Sequence, residues 1–115
     1  MSVLDLVRYS VGGFIAAIGF VVMAAGAVGM WRLPDFYTRL HAVGLSVGPG
    51  ATLVIAGLAV AAPDWGAATK LILLAALIAS IAPMLLHSAG NAAYGAGLTP
   101  VAGRDASRVR AEQTP

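Results

Sequence analysis

The side chains that could do chemistry are densest in one short segment, residues 32–42, which reads RLPDFYTRLHA. Asp35 precedes Arg39 by four residues, the favourable order for an ion pair on a helix, and Tyr37 precedes His41 by the same spacing. Because histidine suits proton relay, the segment predicts a charged docking or relay surface. An interfacial helix with ordinary arginine and aromatic anchors is the alternative interpretation. The candidate residues are Arg32, Pro34, Asp35, Tyr37, Arg39 and His41.

A second polar stripe lies towards the C-terminal end of the apolar sequence. His87, Asn91 and Tyr94 follow one another at i, i+4 and i+7, so they share one face of a helix. If the chain crosses a membrane three times, this stripe lies on the same side as residues 32–42, and the two groups would meet. Alternatively, His87 only caps carbonyls freed near Pro83. Two histidines without any cysteine make a poor metal site, so neither a metal nor another cofactor is predicted.

Residues 44–48, GLSVG, match the G-x-S-x-G pattern of a nucleophile elbow. That mechanism needs a strand before the serine, a helix after it, and a histidine and an acid nearby. Ser46 instead lies in an apolar stretch, and no acid is suitably placed beside His87. The sequence therefore predicts no enzyme activity and no catalytic residue.

Composition indicates a membrane protein. Of the 115 residues, 59% are hydrophobic and only 10% are charged, whereas soluble domains carry roughly 25% charged residues. The mean hydropathy is +0.86. These values exclude a soluble enzyme domain, a disordered tail and a coiled coil. No basic run is interleaved with aromatic residues, so a nucleic-acid partner is not expected. The expected surroundings of the chain are the lipid bilayer.

Three apolar stretches are long enough to span a hydrocarbon core of about 30 Å as helices. They cover about residues 9–31, 42–62 and 67–89. A signal peptide is the alternative for the first stretch, but its N-terminal region is nearly neutral and its apolar part is long. The predicted fold class is an all-α integral membrane protein with three transmembrane helices.

Two prolines shape the second span. Pro34 suits the first turn of a helix, and residues 34–41 are amphipathic, so an interfacial segment is expected to precede the span. Pro49 cannot donate a hydrogen bond to the carbonyl of Leu45, which predicts a kink near Pro49.

Glycine spacing predicts close helix packing. Gly12, Gly19 and Gly26 recur every seven residues along one face of the first helix, and Gly44 and Gly48 form a GxxxG pattern in the second. Small residues of this kind let membrane helices approach closely. The alternative is that glycine is simply frequent in this chain, which has 14.

The acidic residues all lie at the ends of spans or in loops. A self-sufficient proton-coupled transporter usually places an ionisable group within the membrane, so the chain is predicted to be a subunit that packs onto a transporter. Residues 1–95 are expected to form a single three-helix membrane domain, and residues 96–115 a polar C-terminal tail.

The distribution of positive charge predicts orientation. Three spans place the N terminus and the loop 63–70, with Arg8 and Lys70, on one side. Arg32, Arg39 and three arginines of the tail lie on the other side. Because cytoplasmic segments carry the excess of lysine and arginine, the N terminus is predicted outside and the C terminus in the cytoplasm.

Two blocks of the sequence resemble the small G-type subunit of multisubunit monovalent cation/proton antiporters, the Mrp, Mnh and Pha systems of bacteria. The first block is residues 32–42, and the second combines Pro83 and His87 with residues 92–94. Together with the three-span layout, the resemblance covers roughly residues 11–95.

This chain departs from the family pattern at two places. Many relatives carry a lysine and an acid shortly after the histidine–alanine pair, whereas residues 43–48 are uncharged here. A basic residue common near position 91 is also missing. Any ion handling by those charges in relatives therefore does not transfer to this chain.

The resemblance implies an accessory, non-catalytic membrane subunit of a hetero-oligomeric antiporter that exchanges cytoplasmic sodium, or another monovalent cation, for external protons. It implies other antiporter subunits as partners, including large complex I-like membrane subunits. The small subunit would support assembly and could line a cytoplasmic cation entrance. The alternative is a small self-associating membrane scaffold or holin-like pore, which would need no group of residues such as 32–42.

Overall fold

The computed structural model describes residues 1–97, and every regular element in them is helical. The elements are α1 (Val3–Arg32), α2 (Phe36–Leu45), a π-helical turn (Ser46–Gly50), α3 (Ala51–Val60) and α4 (Trp65–Gly95). Three helices are long and apolar enough to cross a membrane: α1, the continuous run Phe36–Val60, here called the second span, and α4. The prediction of an all-α membrane protein with three spans is therefore confirmed. The predicted polar tail lies outside the described residues apart from Ala96 and Gly97.

Local capping sets where the helices begin. Ser2 and Asp5 form a capping box, with the Asp5 N–H donating to Ser2 Oγ at 3.2 Å and the Ser2 N–H donating to Asp5 Oδ2 at 3.1 Å. This cap starts α1 six residues before the apolar stretch begins, because it satisfies N–H groups that a helix otherwise leaves free. At α4, Asp64 Oδ1 accepts a hydrogen bond from the Ala67 N–H at 2.7 Å.

The start of the second span differs from the expectation that Pro34 lies in its first turn. The helix begins at Phe36, and Asp35 is its N-cap residue with an extended backbone. Leu33 is extended as well. A residue that precedes proline is biased away from the helical region, so the chain leaves α1 at Leu33 and re-enters a helix only after Asp35.

The three spans lie side by side, with the second span in the middle. α1 contacts α2, the π-helical turn and α3, and α4 contacts the same three elements. Within the described residues α1 and α4 do not contact each other. The second span therefore forms the bottom of any cleft between α1 and α4.

The buried residues of this layer are all small. They are Ala42, Ala59, Ala62, Ala75, Ala82 and Ala93 together with Gly12, Gly19, Gly26, Gly50 and Gly57. No polar or charged residue of the described chain is buried, while large apolar side chains such as Phe14 and Leu73 are about two-thirds exposed. Helices in lipid have no hydrophobic driving force towards each other, so close backbone packing between small residues holds this layer together.

The glycine stripe of α1 lies directly against the second span. A Cβ atom added at Gly12 would lie 2.5 Å from the carbonyl oxygen of Gly57, and one at Gly19 would lie 2.6 Å from the backbone nitrogen of Val54. Gly26 is similarly close to the backbone of Ala42. Glycine is therefore required along this stripe, because any side chain would push the two backbones apart.

The π-helical turn, residues 46–50, lies where the kink was predicted and contains Pro49. Proline has no N–H to donate to the preceding turn, and a local π-helical turn is a common way to absorb such an interruption. The kink itself, and the interfacial position of residues 34–41, stay predictions.

Candidate functional site

Tyr37 and His41 line one cavity between α2 and α4, at the end of the molecule where α1 passes into α2. The cavity has a volume of about 380 Å³, and Leu86 of α4 lines it from the other side. Tyr37 is half-buried and His41 is exposed. The i, i+4 spacing that placed these two side chains on one face thus brings a phenol and an imidazole to a mostly apolar cavity. Such an arrangement can bind a partner's side chain through hydrogen bonds.

The predicted ion pair between Asp35 and Arg39 is not formed. Arg39 Nε instead donates a hydrogen bond to the carbonyl oxygen of Leu33 at 2.6 Å. The Arg39 N–H donates to the Asp35 carbonyl oxygen at 3.0 Å, but Asp35 is the N-cap with an extended backbone, so its side chain does not leave the chain in the direction of a helical residue. Its side chain makes no capping hydrogen bond, and Thr38 Oγ1 donates to its backbone carbonyl at 2.9 Å. Arg39 therefore fixes the connection between α1 and α2.

The stripe of His87, Asn91 and Tyr94 does not face α2. All three residues are exposed. The residues of α4 that meet α2 are Leu86 and Gly90: Leu86 lines the Tyr37–His41 cavity, and a Cβ at Gly90 would lie 3.6 Å from a methyl group of Leu40. One residue along a helix turns the side chain by about 100°. The two helices meet at this end, but the polar stripe lies to one side of their contact, so the two polar groups do not meet as the sequence led us to expect.

The same end of the molecule presents charged and aromatic side chains outward. Arg32, Pro34 and Arg39 are exposed, and the ring of Trp31 is 91% exposed. Phe36 and Tyr37 stack edge to face with their ring centroids 5.8 Å apart. No group of three or more metal-binding side chains is found among residues 1–97. The exposed arginines and aromatic rings suit this end to docking and hydrogen bonding.

Gly44 and Gly48 differ in their surroundings. A Cβ at Gly44 would lie 2.9 Å from Leu86 Cδ1 of α4, whereas a Cβ at Gly48 would meet no described atom within 4 Å. Both residues line a second cavity of about 320 Å³ between the π-helical turn and α4, with Thr52 and Pro83 among its other lining residues. Gly44 contributes to packing within the chain, and Gly48 leaves a gap in the surface of the second span.

Ser46, the serine of the G-x-S-x-G pattern, has a structural role. It begins the π-helical turn and follows a helix, so the strand that a nucleophile elbow needs is missing at this position. Its Oγ donates a hydrogen bond to the carbonyl oxygen of Met23 in α1 at 2.9 Å. This bond joins α1 to the second span beside Gly26.

Sequence reasoning missed the contacts of Arg8. Its guanidinium donates hydrogen bonds to the carbonyl oxygens of Val60 and Ala62, at the end of the second span. These carbonyls have no partner within the helix, because a helix leaves its last carbonyls free. Two signals were available in the sequence: Pro63 ends the second span, and Arg8 lies on the same side of the predicted membrane.

Comparison of the sequence with known families and proteins gives matches over most of the chain. The sequence model of the PhaG/MnhG/YufB family, described as a Na⁺/H⁺ antiporter subunit, matches residues 15–94. A UPF0091 protein of Pyrococcus horikoshii is 40% identical over 82 residues, which make up 71% of this chain and 80% of that protein.

Two solved structures contain chains with a similar fold. One is a chain of the Mrp complex from Dietzia sp., with a TM-score of 0.78 and 34% identity over 88% of this chain and 90% of that chain. The other belongs to the membrane-bound sulfane sulfur reductase, an archaeal respiratory membrane complex, with a TM-score of 0.70 and 28% identity over 76% of this chain and 82% of that chain.

Proposed function

This chain belongs to the PhaG/MnhG/YufB family of Na⁺/H⁺ antiporter subunits, as the resemblance implied, and we propose that it is an accessory, non-catalytic subunit of its antiporter. The complex would exchange Na⁺, or another monovalent cation, for protons. Support comes from the extent of the family match, which includes both resembling blocks, residues 32–42 and 83–94. The family is one of transporter subunits, and no enzyme activity is proposed.

One observation about the described residues carries the accessory role. No polar or charged residue among them is buried as a whole, and the enclosed polar side-chain atom that lacks a hydrogen-bond partner, Thr52 Oγ1, carries no charge, whereas a cation that crosses the hydrocarbon core needs ionisable or polar groups along its path. Large apolar side chains face outward along all three spans. We therefore propose that other subunits supply the ion path and cover part of this surface.

The partners would be other antiporter subunits, including large complex I-like membrane subunits. A similar chain occurs in the Mrp complex from Dietzia sp., and another occurs in a respiratory membrane complex; both favour a subunit of a large membrane assembly. A small self-associating scaffold or holin-like pore is the alternative that the transport experiment below tests.

The docking surface would be the end of the molecule that carries the Tyr37–His41 cavity. We propose that this end faces the cytoplasm of a bacterial cell membrane, that it supports assembly, and that it lines a cation entrance. Arg32 and Arg39 at this end favour a cytoplasmic position, and the N terminus would then lie outside.

The decisive experiment measures proton movement with a pH-sensitive dye in three kinds of vesicle. They contain the complete complex, the complex without this chain, and this chain alone. Sodium-dependent proton movement is expected only with the complete complex, and adding the chain back should restore it. Cation-dependent proton movement by the single chain would overturn the accessory role, and a cation-independent leak would support a pore.

The two histidines provide a matched test of the cation entrance. Both are exposed at the same end of the molecule, but only His41 lines the cavity with Tyr37. His87→Ala should weaken exchange without eliminating it, and His41→Ala should weaken it more, at an unchanged amount of assembled complex. Equal effects of the two variants would exclude the cavity as a special entrance.

A further inference from the structure

A larger cavity, of about 730 Å³, lies at the opposite end of the molecule from Tyr37. It opens where α1 and α4 flank the second span without touching each other. Its volume falls within the range of about 300–1,000 Å³ typical of small-molecule sites. The apolar lining includes Leu4, Ala56, Ala59, Ala68, Ile72 and Ala75.

The apolar part of this cavity is shorter than one leaflet of a bilayer. Below Asp64 and Trp65, its lining along α4 extends from Ala68 to Ala75, which at 1.5 Å per residue is about 10 Å. Half of a hydrocarbon core of about 30 Å is about 15 Å. A membrane-spanning helix from a partner would need a groove along the whole core, so the length of the cavity favours an acyl chain.

Two opposite charges lie at the mouth of the cavity, where lipid headgroups would be. Arg8 and Asp64 both line it, together with the ring of Trp65, which is 89% exposed. Aromatic rings of this kind prefer the membrane interface. A cation, an anion and an interfacial aromatic ring thus surround one apolar cavity.

Each of the two charged groups is held in place by the backbone. Arg8 donates to the carbonyl oxygens of Val60 and Ala62 through two of its nitrogens, and a guanidinium carries five N–H donors in all. Asp64 accepts the Ala67 N–H with Oδ1, and its carboxylate has a second oxygen. Both groups can therefore bind a ligand while they keep their structural contacts.

We propose that this cavity binds a phospholipid of the phosphatidylethanolamine type from the leaflet on the N-terminal side. One acyl chain fills the apolar cavity, the phosphate accepts hydrogen bonds from Arg8, and the ammonium donates to Asp64. A headgroup that carries both charges matches two oppositely charged side chains better than a headgroup that carries only one. The site does not depend on the proposed antiporter role, because the chain itself forms it.

The test is native mass spectrometry of the delipidated full-length chain, titrated with lipids of identical acyl chains. Phosphatidylethanolamine should bind about tenfold or more tightly than diacylglycerol, since only the former offers a phosphate for a charge-assisted hydrogen bond. Phosphatidylglycerol should bind about two- to fivefold more weakly than phosphatidylethanolamine, because exposed charge pairs contribute little. Equal binding of phosphatidylethanolamine and diacylglycerol would overturn the proposal.

Variants of the chain separate the cavity from the rest of the surface. Ala68→Leu fills the apolar lining and should weaken phosphatidylethanolamine binding, whereas Ala76→Leu, on an exposed face of the same helix, should not. Arg8→Gln should remove the preference for phosphate. Arg8 also holds the end of the second span, so Arg8→Gln could fail to fold. In that case the comparison of Ala68→Leu with Ala76→Leu and the comparison of headgroups provide the test. Equal effects of Ala68→Leu and Ala76→Leu would overturn the proposal.

The assembled complex distinguishes a lipid from a protein occupant. Cysteine introduced at Ile72 would be the only cysteine of the chain and would lie in the cavity wall. In membranes that contain the complete complex, photoactivatable phosphatidylethanolamine should label α4. Efficient cross-linking of the Ile72→Cys chain to another subunit through a short linker would show a protein occupant and refute the proposal.

Discussion

The contact between α1 and the second span can be tested with two single-methyl changes on the same helix. Gly19→Ala places a Cβ 2.6 Å from the backbone nitrogen of Val54 and 2.8 Å from the Cβ of Leu53. Gly13→Ala places a Cβ where no atom lies within 4 Å. The two variants share the same chemistry and differ only in what the added methyl group meets.

The structure sets the size of the expected difference. Ordinary van der Waals contact begins at 3.4 Å, so α1 and the second span must separate by about 0.8 Å at Gly19. The obstructing atoms belong to the backbone or are tied directly to it, so no side chain can rotate away. Overpacking of this kind costs about 1–3 kcal/mol, whereas Gly13→Ala in an open helix stabilises by up to about 1 kcal/mol. Because both variants gain the same helix propensity, they should differ by the overpacking cost alone, about 1–3 kcal/mol.

The assay is unfolding of the chain by sodium dodecyl sulfate in mixed micelles. Energy transfer between dyes on cysteines introduced at Val3 and Pro63 reports the contact, because both positions are exposed and lie at the same end of adjacent spans. Gly19→Ala should unfold at clearly lower detergent fraction than the parent, and Gly13→Ala at the same or a higher fraction. If both variants unfold together, α1 does not pack on the second span as closely as the structure places it.

Three further outcomes are expected. Gly48→Leu should leave the single chain stable but reduce its co-purification with partner subunits; unchanged assembly would show that this face meets lipid. Since the Arg39 side chain bonds to the carbonyl of Leu33 and not to the Asp35 carboxylate, Arg39→Asp should not rescue the loss of exchange caused by Asp35→Arg; rescue in the double variant would show a pair formed only in the complex. An impermeant thiol reagent applied to intact cells should label Ser2→Cys and not Gln113→Cys, and the reverse would invert the proposed orientation.

The number and class of the helices could be predicted because hydropathy over some 20 residues reflects the thickness of a bilayer. The face of α1 that packs could also be predicted, since Gly12, Gly19 and Gly26 repeat with the period of a helix face. The face of α4 that packs against α2 could not be predicted. Apolar residues surround that helix, and nothing in the sequence shows that Leu86, and not its neighbour His87, points towards α2.

The wrong prediction of an Asp35–Arg39 ion pair has a different cause from the wrong prediction about the face of α4. The prediction assumed that the helix begins at Pro34, and the structure begins it at Phe36. A shift of two residues at a helix start is within the usual uncertainty of such boundaries. It nevertheless turns Asp35 from a helical residue into an N-cap residue and releases Arg39 to bond with Leu33. Side-chain pairs near helix ends are therefore the least predictable part of a site such as this one.

The hydroxyl groups in the middle of the spans differ in whether they find a hydrogen-bond partner. Ser46 donates to the carbonyl of Met23, and Ser80 donates to the carbonyl of Ala76, so both hydroxyl protons are committed to the backbone. In the described chain Thr52 Oγ1 is buried and has no hydrogen-bond partner, an arrangement that costs about 1–3 kcal/mol. Thr52 lines the cavity beside Gly48, where the surface of the second span has a gap. Because Oγ1 is enclosed, a polar side chain of another subunit in this gap would satisfy it only after Thr52 changes rotamer, and assembly would then relieve a cost that the isolated chain bears.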